Sequence, residues 1–343
     1  MEQTLSFPGL GIEQFTLNRI AFSVLGKPIY WYGIIIAAGF LLALLYANKR
    51  AGAFGLDSDR VLDVILGGSI GGIIGARIYY VVFSWANYKD NLIDVFKIWE
   101  GGIAIYGGVI GGFLAGALMC RLRRVRFLPM ADLAVACLIL GQGIGRWGNF
   151  VNIEAFGSVT ALPWRMCSPA IASYLQQVGF ADAATAAQIL DGTLGVHPTF
   201  FYESVWCLLS FGILAWFTSR RRYDGELTLL YVFLYSAERA IVEGLRTDSL
   251  MWGSVRVSQA LAVVLTVVSA SLLLFMRAKI KRKNDPDFLP LYVNTAEGQA
   301  VLAGTFYPKK EKEQPVEETN EPQLPEEQNA KTDEEGQADG KAD

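Results

Sequence analysis

The chain has 343 residues, of which 52% are hydrophobic and 18% are charged, with a formal net charge of −3. Its mean hydropathy is +0.31, although a polar carboxyl-terminal segment lowers the average. This composition excludes an ordinary water-soluble domain and predicts an all-α polytopic membrane protein. A helix needs about 20 apolar residues to cross a bilayer. Seven segments meet that requirement, namely residues 29–47, 61–83, 101–120, 130–150, 199–218, 227–244 and 257–276.

The distribution of basic residues predicts how these helices are oriented. Lysine and arginine near helix ends stay preferentially on the cytoplasmic side, and here they cluster in alternate connections. The amino terminus is therefore predicted to lie outside the cell and the carboxyl terminus inside. The basic connections carry Lys49, Arg50, Arg121, Arg123, Arg124, Arg126, Arg220, Arg221, Arg222, Arg277, Lys279, Lys281, Arg282 and Lys283.

The sequence divides into a membrane domain, residues 1–284, and a cytoplasmic acidic tail, residues 285–343. Because the tail is rich in Glu, Pro, Gln and Lys and has little to bury, it is predicted to be disordered from about Leu289. The first 28 residues lack the pattern of a removable signal peptide. The cysteines have no metal-ligand spacing, so we expect neither a metal site nor a disulfide framework.

Aromatic and glycine-rich runs mark the first three segments. The first begins with IYWYG, which is typical of an aromatic belt at the membrane interface, and its Tyr32 is also a candidate for lining a site. Glycines recur at four-residue spacing in the second and third segments, a pattern that favours close helix packing. Gly107 and Gly108, which follow Tyr106, are candidates for shaping a ligand cavity instead.

The fourth segment ends in the polar sequence GQGIGRWGNFVNIEAFG, residues 141–157. Hydrocarbon solvates a guanidinium poorly, so Arg146 at the end of a membrane-length apolar segment requires a partner or a function. Asn149, Asn152 and Glu154 follow within the next turns. We therefore expect this sequence to form part of a functional site.

The connection over residues 158–195 is predicted to contain one short amphipathic helix, which either docks a partner or caps a cavity. The fifth segment then opens with the chain's single histidine, His197, before proline and threonine, as at a helix start. A structural role explains this histidine. Glu203 lies about one turn inside the same apolar helix, where a carboxylate must be protonated or paired with a cation.

The sixth segment carries charges near its end. Arg239, Glu243 and Arg246 fall at positions i, i+4 and i+7, so they are predicted to share one helix face. A buried salt bridge is one explanation for them, because charges inside membranes usually pair with one another. One carboxylate does not neutralise two guanidiniums, however, and Arg146 adds a third if the fourth helix lies nearby. This surplus of positive charge favours an anionic ligand.

Taken together, these motifs resemble those of the prolipoprotein diacylglyceryl transferase family. The strongest match is GRWGNFVNIEAFG, which fills every fixed position of the family signature GRxGNFxNxExxG. The resemblance covers residues from about 30 to 275 and excludes the tail. Further matches in the same order are WYG at 31–33, GARIYYV at 75–81, GGIAIYGGVIGG at 101–112, HPTFFYE at 197–203 and ERAIVEGLR at 238–246.

The resemblance implies a multi-pass transferase of the bacterial cytoplasmic membrane. Such an enzyme transfers the diacylglyceryl group of phosphatidylglycerol to the lipobox cysteine of a prolipoprotein signal peptide and releases glycerol 1-phosphate, the first step of lipoprotein maturation. These substrates and the bilayer are the expected partners, with no nucleic acid. No cofactor is expected, because the phosphate linkage already activates the donor lipid.

Two other functions fit parts of the sequence. A membrane lipid transporter or flippase also carries intramembrane charges, but it is expected to have an internal repeat, and none is evident. A non-catalytic scaffold explains the glycines and the tail and leaves the gathered arginines unexplained.

The resemblance also implies roles for individual residues. Arg146 is expected to bind the phosphatidylglycerol head group, with Asn149 and Glu154 shaping its surroundings. Arg239 is expected to stabilise the phosphate in the transition state, while Glu243 holds the arginines in register. The further residues expected to line the cavity are Tyr32, Gly107, Gly108, Asn152, Gly157 and Arg246.

One position departs from the family pattern. Many members carry a histidine where this chain has Tyr106, and histidine is the obvious base for a thiol. Tyrosine, with an ordinary pKa near ~10, is a poor base unless arginines lower that pKa. The proton acceptor is therefore open between Glu203, His197 and the departing phosphate, with Tyr106 expected to hydrogen-bond the lipid.

Overall fold

The structure, a computed structural model, describes residues 2–246, 251–252, 255–285 and 288–307. The disorder predicted for the tail falls outside the described residues beyond residue 307. The described helices are α1 (Trp31–Arg50), α2 (Ser58–Phe83), α3 (Ile105–Leu122), α4 (Phe127–Asn152), α5 (Pro169–Gln177), α6 (Ala183–Leu190), α7 (Thr199–Phe217), α8 (Glu226–Val242), α9 (Val257–Lys283) and α10 (Ala296–Leu302).

Six of the described helices are long and apolar enough to cross a membrane, namely α1, α2, α3, α4, α7 and α9. They confirm a polytopic, mainly helical protein, but the sequence predicts seven such spans. The sixth predicted span forms α8, which has 17 residues and rises only about 25 Å. Its charged end continues as a short 3-10 turn, Glu243–Leu245, rather than as more α-helix.

Helix α8 nevertheless runs antiparallel to α9 along its length. At one end Arg277 Nε lies 2.5 Å from Glu226 Oε1, and at the other Gln259 Nε2 donates to the carbonyl of Ala240 at 2.8 Å. We call the end of the bundle with Glu226 and Arg277 the basic end, and the opposite end, where α4 and α8 finish, the motif end. Helix α8 therefore belongs to the same bundle as the six longer helices.

Small residues bring the helices together. Helix α1 turns the buried Gly39, Ala43 and Ala47, spaced four apart, toward the core. Helices α2 and α3 approach so closely that a Cβ atom added to Gly75 would lie 2.7 Å from the Cα atom of Gly111. The prediction that the glycine repeats serve helix packing is confirmed for this pair of helices.

Short antiparallel strands cover the motif end, and the sequence analysis did not predict them. Within the described residues they occur as four pairs, and the first buries Leu5 against α5 and α6. Their bounds, in pairs, are β1 (Glu2–Phe7) with β2 (Ile12–Asn18), β3 (Ile20–Val24) with β4 (Lys27–Tyr30), β5 (Val159–Thr160) with β6 (Gly195–Val196), and β7 (Met251–Trp252) with β8 (Val255–Arg256).

The connection over residues 158–195 holds two short helices, α5 and α6, where one was predicted. Helix α5 ends before Gly179, whose φ of 76° is in the left-handed region that glycine adopts without strain. A new helix then starts because the Asp182 side chain accepts a hydrogen bond from Thr185 N at 2.8 Å, which caps its first turn. The break in helicity is therefore encoded by a glycine followed by a capping aspartate.

Residues 288–307 fold against the basic end, although disorder was predicted from about Leu289. Tyr292 is buried, its backbone N–H donates to Asp224 at 2.7 Å, and burial raises the pKa of its phenol to about 12. Arg126 pairs with Glu297, and the Arg60 guanidinium stacks 3.5 Å above the ring of Tyr307. The acidic composition of the tail predicts disorder and gives no indication of these few aromatic contacts.

A truncation tests whether this segment stabilises the bundle. We expect a chain ending at residue 284 to unfold at a lower temperature than one ending at residue 307, since burying one large side chain contributes about 1.5–3 kcal/mol. The comparison is a melting curve of both proteins in the same detergent. Equal melting temperatures would mean that the docked segment contributes nothing to stability.

Candidate active site

An ion pair between α4 and α7 forms the centre of the site. Arg146 contacts Glu203 directly, and the Glu203 side chain is only 1% exposed. Two hydrogen bonds hold the helices at this spacing: Trp147 Nε1 donates to Ser204 Oγ at 3.1 Å, and that hydroxyl donates to the carbonyl of Gly143 at 2.7 Å. Glu203 is thus the partner that Arg146 requires.

Two further arginines surround the same carboxylate. Arg239 Nη1 lies 3.8 Å from Glu203 Oε2, and Arg246 Nη1 lies 4.0 Å from Glu203 Oε1. Arg239 Nη2 also pairs with Glu243 Oε2 at 2.7 Å, one helical turn away. The structure therefore brings Arg146, Arg239, Glu243 and Glu203 together, which confirms that the fourth and sixth predicted helices meet.

The arrangement leaves positive charge accessible. The side chains of Arg146, Arg239 and Arg246 are 19%, 23% and 13% exposed, whereas Glu203 and Glu243 are 1% and 2% exposed. The three arginine side chains thus remain partly accessible, while the two carboxylate side chains are buried. Such preorganised donors in a site of low dielectric constant favour an anion strongly.

The sequence analysis missed a third acidic side chain in this region. Glu238 is 4% exposed, and neither of its carboxylate oxygens has a hydrogen-bond partner within the described part of the chain. An acidic residue in the middle of the apolar sixth segment was the signal available in the sequence, but Glu243 offered a simpler pairing.

The chain beyond α4 forms one wall of a polar pocket of about 560 Å³. Ile153 and Ala155 have φ angles of 52° and 53°, in the left-handed region that side chains rarely adopt, and Glu154 lies exposed between them. The polar pocket is lined by Gln3, Arg19, Asn149, Asn152, Ile153, Glu154, Ala155, Phe156, Ala170, Tyr174 and Arg246. Three predicted site residues that follow Arg146 in the motif therefore share one cavity with Arg246.

Gly157 joins the three parts of the chain that meet at the motif end. Its N–H donates to the carbonyl of His197 at 2.9 Å, and the next residue, Ser158, donates to the carbonyl of Leu245 at 2.6 Å. Arg246 forms a β-bridge with Gly157. A Cβ atom at Gly157 would lie 2.8 Å from the Cβ atom of His197, so only glycine fits here without displacement.

Replacing Gly157 with alanine is expected to lower the activity of this site by displacing Arg246, because the added methyl group pushes apart the start of α7 and the segment after α8. The overpacking is expected to destabilise the fold by about 1–3 kcal/mol. Activity and melting temperature measured on Gly157→Ala check this, with Gly212→Ala as the control, since a Cβ atom at Gly212 meets nothing within 4 Å. Wild-type activity in Gly157→Ala would contradict the close approach of the start of α7 and the segment after α8 to Gly157.

His197 belongs to a hydrogen-bonded group at the start of α7. Its Nδ1 lies 3.3 Å from the hydroxyl of Tyr202, which also accepts a 2.5 Å hydrogen bond from Trp164 Nε1. Burial lowers the pKa of the imidazole, so His197 is neutral at neutral pH. These contacts account for the structural role expected of this histidine.

The remaining predicted residues lie elsewhere on α1 and α3. The Tyr32 ring packs against α4, because a Cβ atom at Gly148 would lie 2.6 Å from its Cδ2 atom. Gly107 and Gly108 line the contact of α3 with α2. Tyr106 is 50% exposed at the start of α3. The α3 residues therefore do not join the arginines in this structure.

Comparison with known proteins identifies the family of the chain. The family model described as prolipoprotein diacylglyceryl transferase matches residues 19–275. The chain belongs to this family. A relative from Clostridioides difficile (strain 630) is 41% identical over 248 residues, covering 72% of this chain and 91% of its own length. One from Listeria monocytogenes is 40% identical over 272 residues, covering 79% and 94%.

A third relative, from Staphylococcus haemolyticus (strain JCSC1435), is 39% identical over 289 residues, covering 83% of this chain and 98% of its own length. All three are named phosphatidylglycerol–prolipoprotein diacylglyceryl transferase. Membership of a transferase family does not favour the lipid-transporter alternative. The family match includes the arginines and Gly157, and it excludes β1, β2 and the docked residues 288–307.

The family match thus covers helices α1 to α8 and most of α9 in this multi-pass membrane protein. No group of three or more His, Cys, Asp and Glu side chains that could hold a metal ion occurs in residues 2–246 or the other described ranges.

Proposed function

We propose that this protein transfers the diacylglyceryl group of phosphatidylglycerol to the lipobox cysteine of a prolipoprotein signal peptide. The observation that carries the proposal is the set of three partly exposed arginines, Arg146, Arg239 and Arg246, gathered around the buried Glu203. Guanidiniums recognise phosphate oxygens with well-directed hydrogen bonds. The names of the relatives specify both substrates. We assign the protein to the bacterial cytoplasmic membrane, with the motif end outside.

The reaction moves charge onto the phosphate. The thiolate attacks the sp3 carbon that joins the diacylglycerol to the phosphate, so a C–S bond forms and that C–O bond breaks. The electron pair of the broken bond stays on glycerol 1-phosphate, which leaves with one more negative charge. We assign Arg146 to binding of the head group and Arg239 to stabilising the charge that develops in the transition state.

The carboxylates act as positioning residues in this proposal. Glu203 holds three arginines and Glu243 holds Arg239, so each guanidinium keeps its orientation before the lipid arrives. Glu203, neutral His197 and the departing phosphate are the three candidate proton acceptors, and Tyr106 serves the lipid rather than the thiol.

The last turn of α4 and the loop after it complete the head-group site. Asn149, Asn152 and Glu154 supply amide and carboxylate groups that can hydrogen-bond the glycerol hydroxyls. Gly157 fixes Arg246, and Tyr32 supports α4 from α1. Gly107 and Gly108, which lie where α3 packs against α2, would shape the part of the cavity that holds the lipid.

A reconstituted reaction tests the proposed function. Purified protein, phosphatidylglycerol and a lipobox peptide are expected to yield a diacylglyceryl thioether and glycerol 1-phosphate in equal amounts. The same peptide with serine in place of its cysteine is expected to yield neither product. Lipid movement between leaflets without product formation would overturn the proposal in favour of a transporter.

A further inference from the structure

The connection between α2 and α3, residues 84–104, exposes large apolar side chains at the motif end. Residues 89–91 are polar and exposed, and two short 3-10 turns follow them, Leu92–Phe96 and Ile98–Glu100. A concentration of exposed apolar side chains marks a surface that contacts something other than water. The apolar residues of this part are between 46% and 78% exposed, namely Leu92, Ile93, Phe96, Ile98, Trp99 and Ile103.

Arg77 of α2 holds this connection in its fold. The residue is only 6% exposed, and each of its guanidinium nitrogens donates to backbone carbonyls. Nε donates to the carbonyl of Val95 at 2.8 Å, and Nη2 donates to that of Asp94 at 2.5 Å. The guanidinium is therefore the centre around which the chain from 94 to 102 is wrapped. The other acceptors are the carbonyls of Lys97 at 3.4 Å, Gly101 at 2.7 Å and Gly102 at 2.8 Å.

Two glycines make this wrapping possible. Gly101 and Gly102 have φ angles of 89° and 72°, in the region that side chains rarely adopt. A Cβ atom at Gly102 would also collide with Nη1 of Arg77. Beyond them the N–H of Ala104 donates to the carbonyl of Ala76 at 3.0 Å, which ties the end of the connection to α2. The first two glycines of GGIAIYGGVIGG thus enclose Arg77, a role that the sequence analysis did not assign to them.

The exposed apolar side chains continue onto the lipid-facing side of α3. Both α2 and α3 are long and apolar enough to cross a membrane, so the connection between them lies at a bilayer surface. Ile103 is followed by Ile105 and Val109 of α3, which are 79% and 66% exposed. Tryptophan and other amphipathic aromatic side chains are enriched at the membrane interface, and Trp99 is 76% exposed here. The bilayer is therefore the partner that this surface fits.

The hydrogen bonds of Arg77 satisfy the second requirement for contact with lipid. Irregular backbone is unfavourable near hydrocarbon, because its polar groups lose the water that would otherwise pair with them. Here five carbonyls accept from one buried guanidinium instead. The charge of Lys97 is likewise paired, since its Nζ lies 2.7 Å from Asp94 Oδ1. The connection thus exposes apolar side chains while its own polar groups are largely satisfied by the protein.

We propose that residues 92–104 lie in the plane of the membrane, at the boundary between head groups and acyl chains of the leaflet at the motif end. Phe96 and Trp99 insert among the acyl chains, and the polar residues 89–91 remain in water. Arg77 is the positioning residue that keeps the segment folded at this depth. The inference does not rest on the transfer reaction, and it assigns to this connection a direct contact with the lipid surface.

Nitroxide labels test the inference on the full-length protein in vesicles of phosphatidylglycerol and phosphatidylethanolamine. Phe96→Cys, Trp99→Cys and Asp90→Cys are labelled in turn, and the unsubstituted protein gives the background, since its four cysteines are buried. Oxygen dissolves among acyl chains, whereas a polar nickel chelate stays in water. The ratio of oxygen to nickel collision rates at positions 96 and 99 is expected to exceed that at position 90 by at least about tenfold, because hydrocarbon excludes polar solutes by more than this factor.

A second substitution tests the role of Arg77. Arg77→Gln is expected to return the ratio at position 96 to the value at position 90, because the freed carbonyls require water. Arg121→Gln, which removes an exposed arginine in the last turn of α3, is expected to leave the ratio unchanged, and melting curves verify that each variant is folded. An unchanged ratio in folded Arg77→Gln would refute the positioning role.

The labels at positions 96 and 99 decide the location of the segment without any change at Arg77. A ratio at both positions equal to that at position 90 would overturn the inference, since it assigns the segment to water. Low collision rates with both reagents would also overturn it, because they would mean that a second protein surface, rather than lipid, covers these side chains.

Discussion

Replacing Arg239 with alanine is expected to lower kcat for diacylglyceryl transfer by about 100- to 1,000-fold, the usual effect of removing one donor to a developing anion. Arg239 contacts Glu203 and Glu243 through different nitrogens and remains partly exposed, so it can serve the phosphate while its position is fixed. The KM for phosphatidylglycerol is expected to change much less, because Arg146 still binds the head group. Steady-state kinetics on reconstituted protein measure both constants.

Two further variants make this result specific to Arg239. Arg239→Lys retains the charge but loses the planar pair of donors, and we expect it to recover only part of the activity. Arg222→Ala removes an exposed arginine at the basic end and is expected to leave kcat unchanged. Near wild-type kcat in folded Arg239→Ala would contradict a role in the transition state.

Replacing Glu203 with glutamine is expected to produce the largest loss of stability. The change keeps the shape of the side chain and removes the buried negative charge that three arginines share. Breaking a buried ion pair by removing one partner typically costs about 3–5 kcal/mol. We therefore expect a lower melting temperature together with reduced transfer, since the guanidiniums repel one another and lose their orientation.

A double-mutant cycle distinguishes this effect from simple loss of packing. Because Arg146 is the guanidinium in direct contact with Glu203, the variant carrying both Glu203→Gln and Arg146→Gln is expected to be more stable than the sum of the two single changes predicts. The coupling energy expected for residues in contact is about 0.5–3 kcal/mol. Strict additivity in the free energy of unfolding would mean that the two side chains do not interact.

Local sequence spacing predicts part of the site. The apolar runs predict the long helices, and the position of Arg146 at the end of one of them predicts that it needs a partner. The spacing of Arg239 and Glu243 predicts their ion pair, which the structure contains at 2.7 Å. These inferences hold because they depend on helix geometry and on the cost of burying charge in hydrocarbon.

The sequence does not predict the contacts made between distant parts of the chain. Helical spacing assigns Arg246 to the same face as Arg239, but α8 ends at Val242 and the β-bridge to Gly157 determines where Arg246 lies instead. The sequence likewise identifies Glu203 as a charge needing a cation without indicating that three arginines share it. Each of these features depends on which helices become neighbours, which helix periodicity alone does not specify.

The strands at the motif end were missed for a related reason. Strands β1 and β2 are short and alternate only weakly, and Leu5 becomes buried only when α5 and α6 pack against it. The docked residues 288–307 were missed because a few aromatic contacts offset a strongly polar composition. In both cases tertiary contacts decide the structure and local pattern gives little signal.

A measurement of lipid affinity in the absence of reaction tests most directly whether the arginines around Glu203 bind the phosphate of phosphatidylglycerol. Affinity for phosphatidylglycerol and for diacylglycerol of the same acyl chains is measured in detergent, on the wild-type protein and on a variant carrying Arg146→Ala and Arg239→Ala that melting curves show to be folded. The wild-type protein is predicted to prefer phosphatidylglycerol by at least about tenfold, since each charge-assisted hydrogen bond contributes about 1.5–3 kcal/mol. The variant is predicted to lose that preference. An equal preference in both proteins would contradict the account.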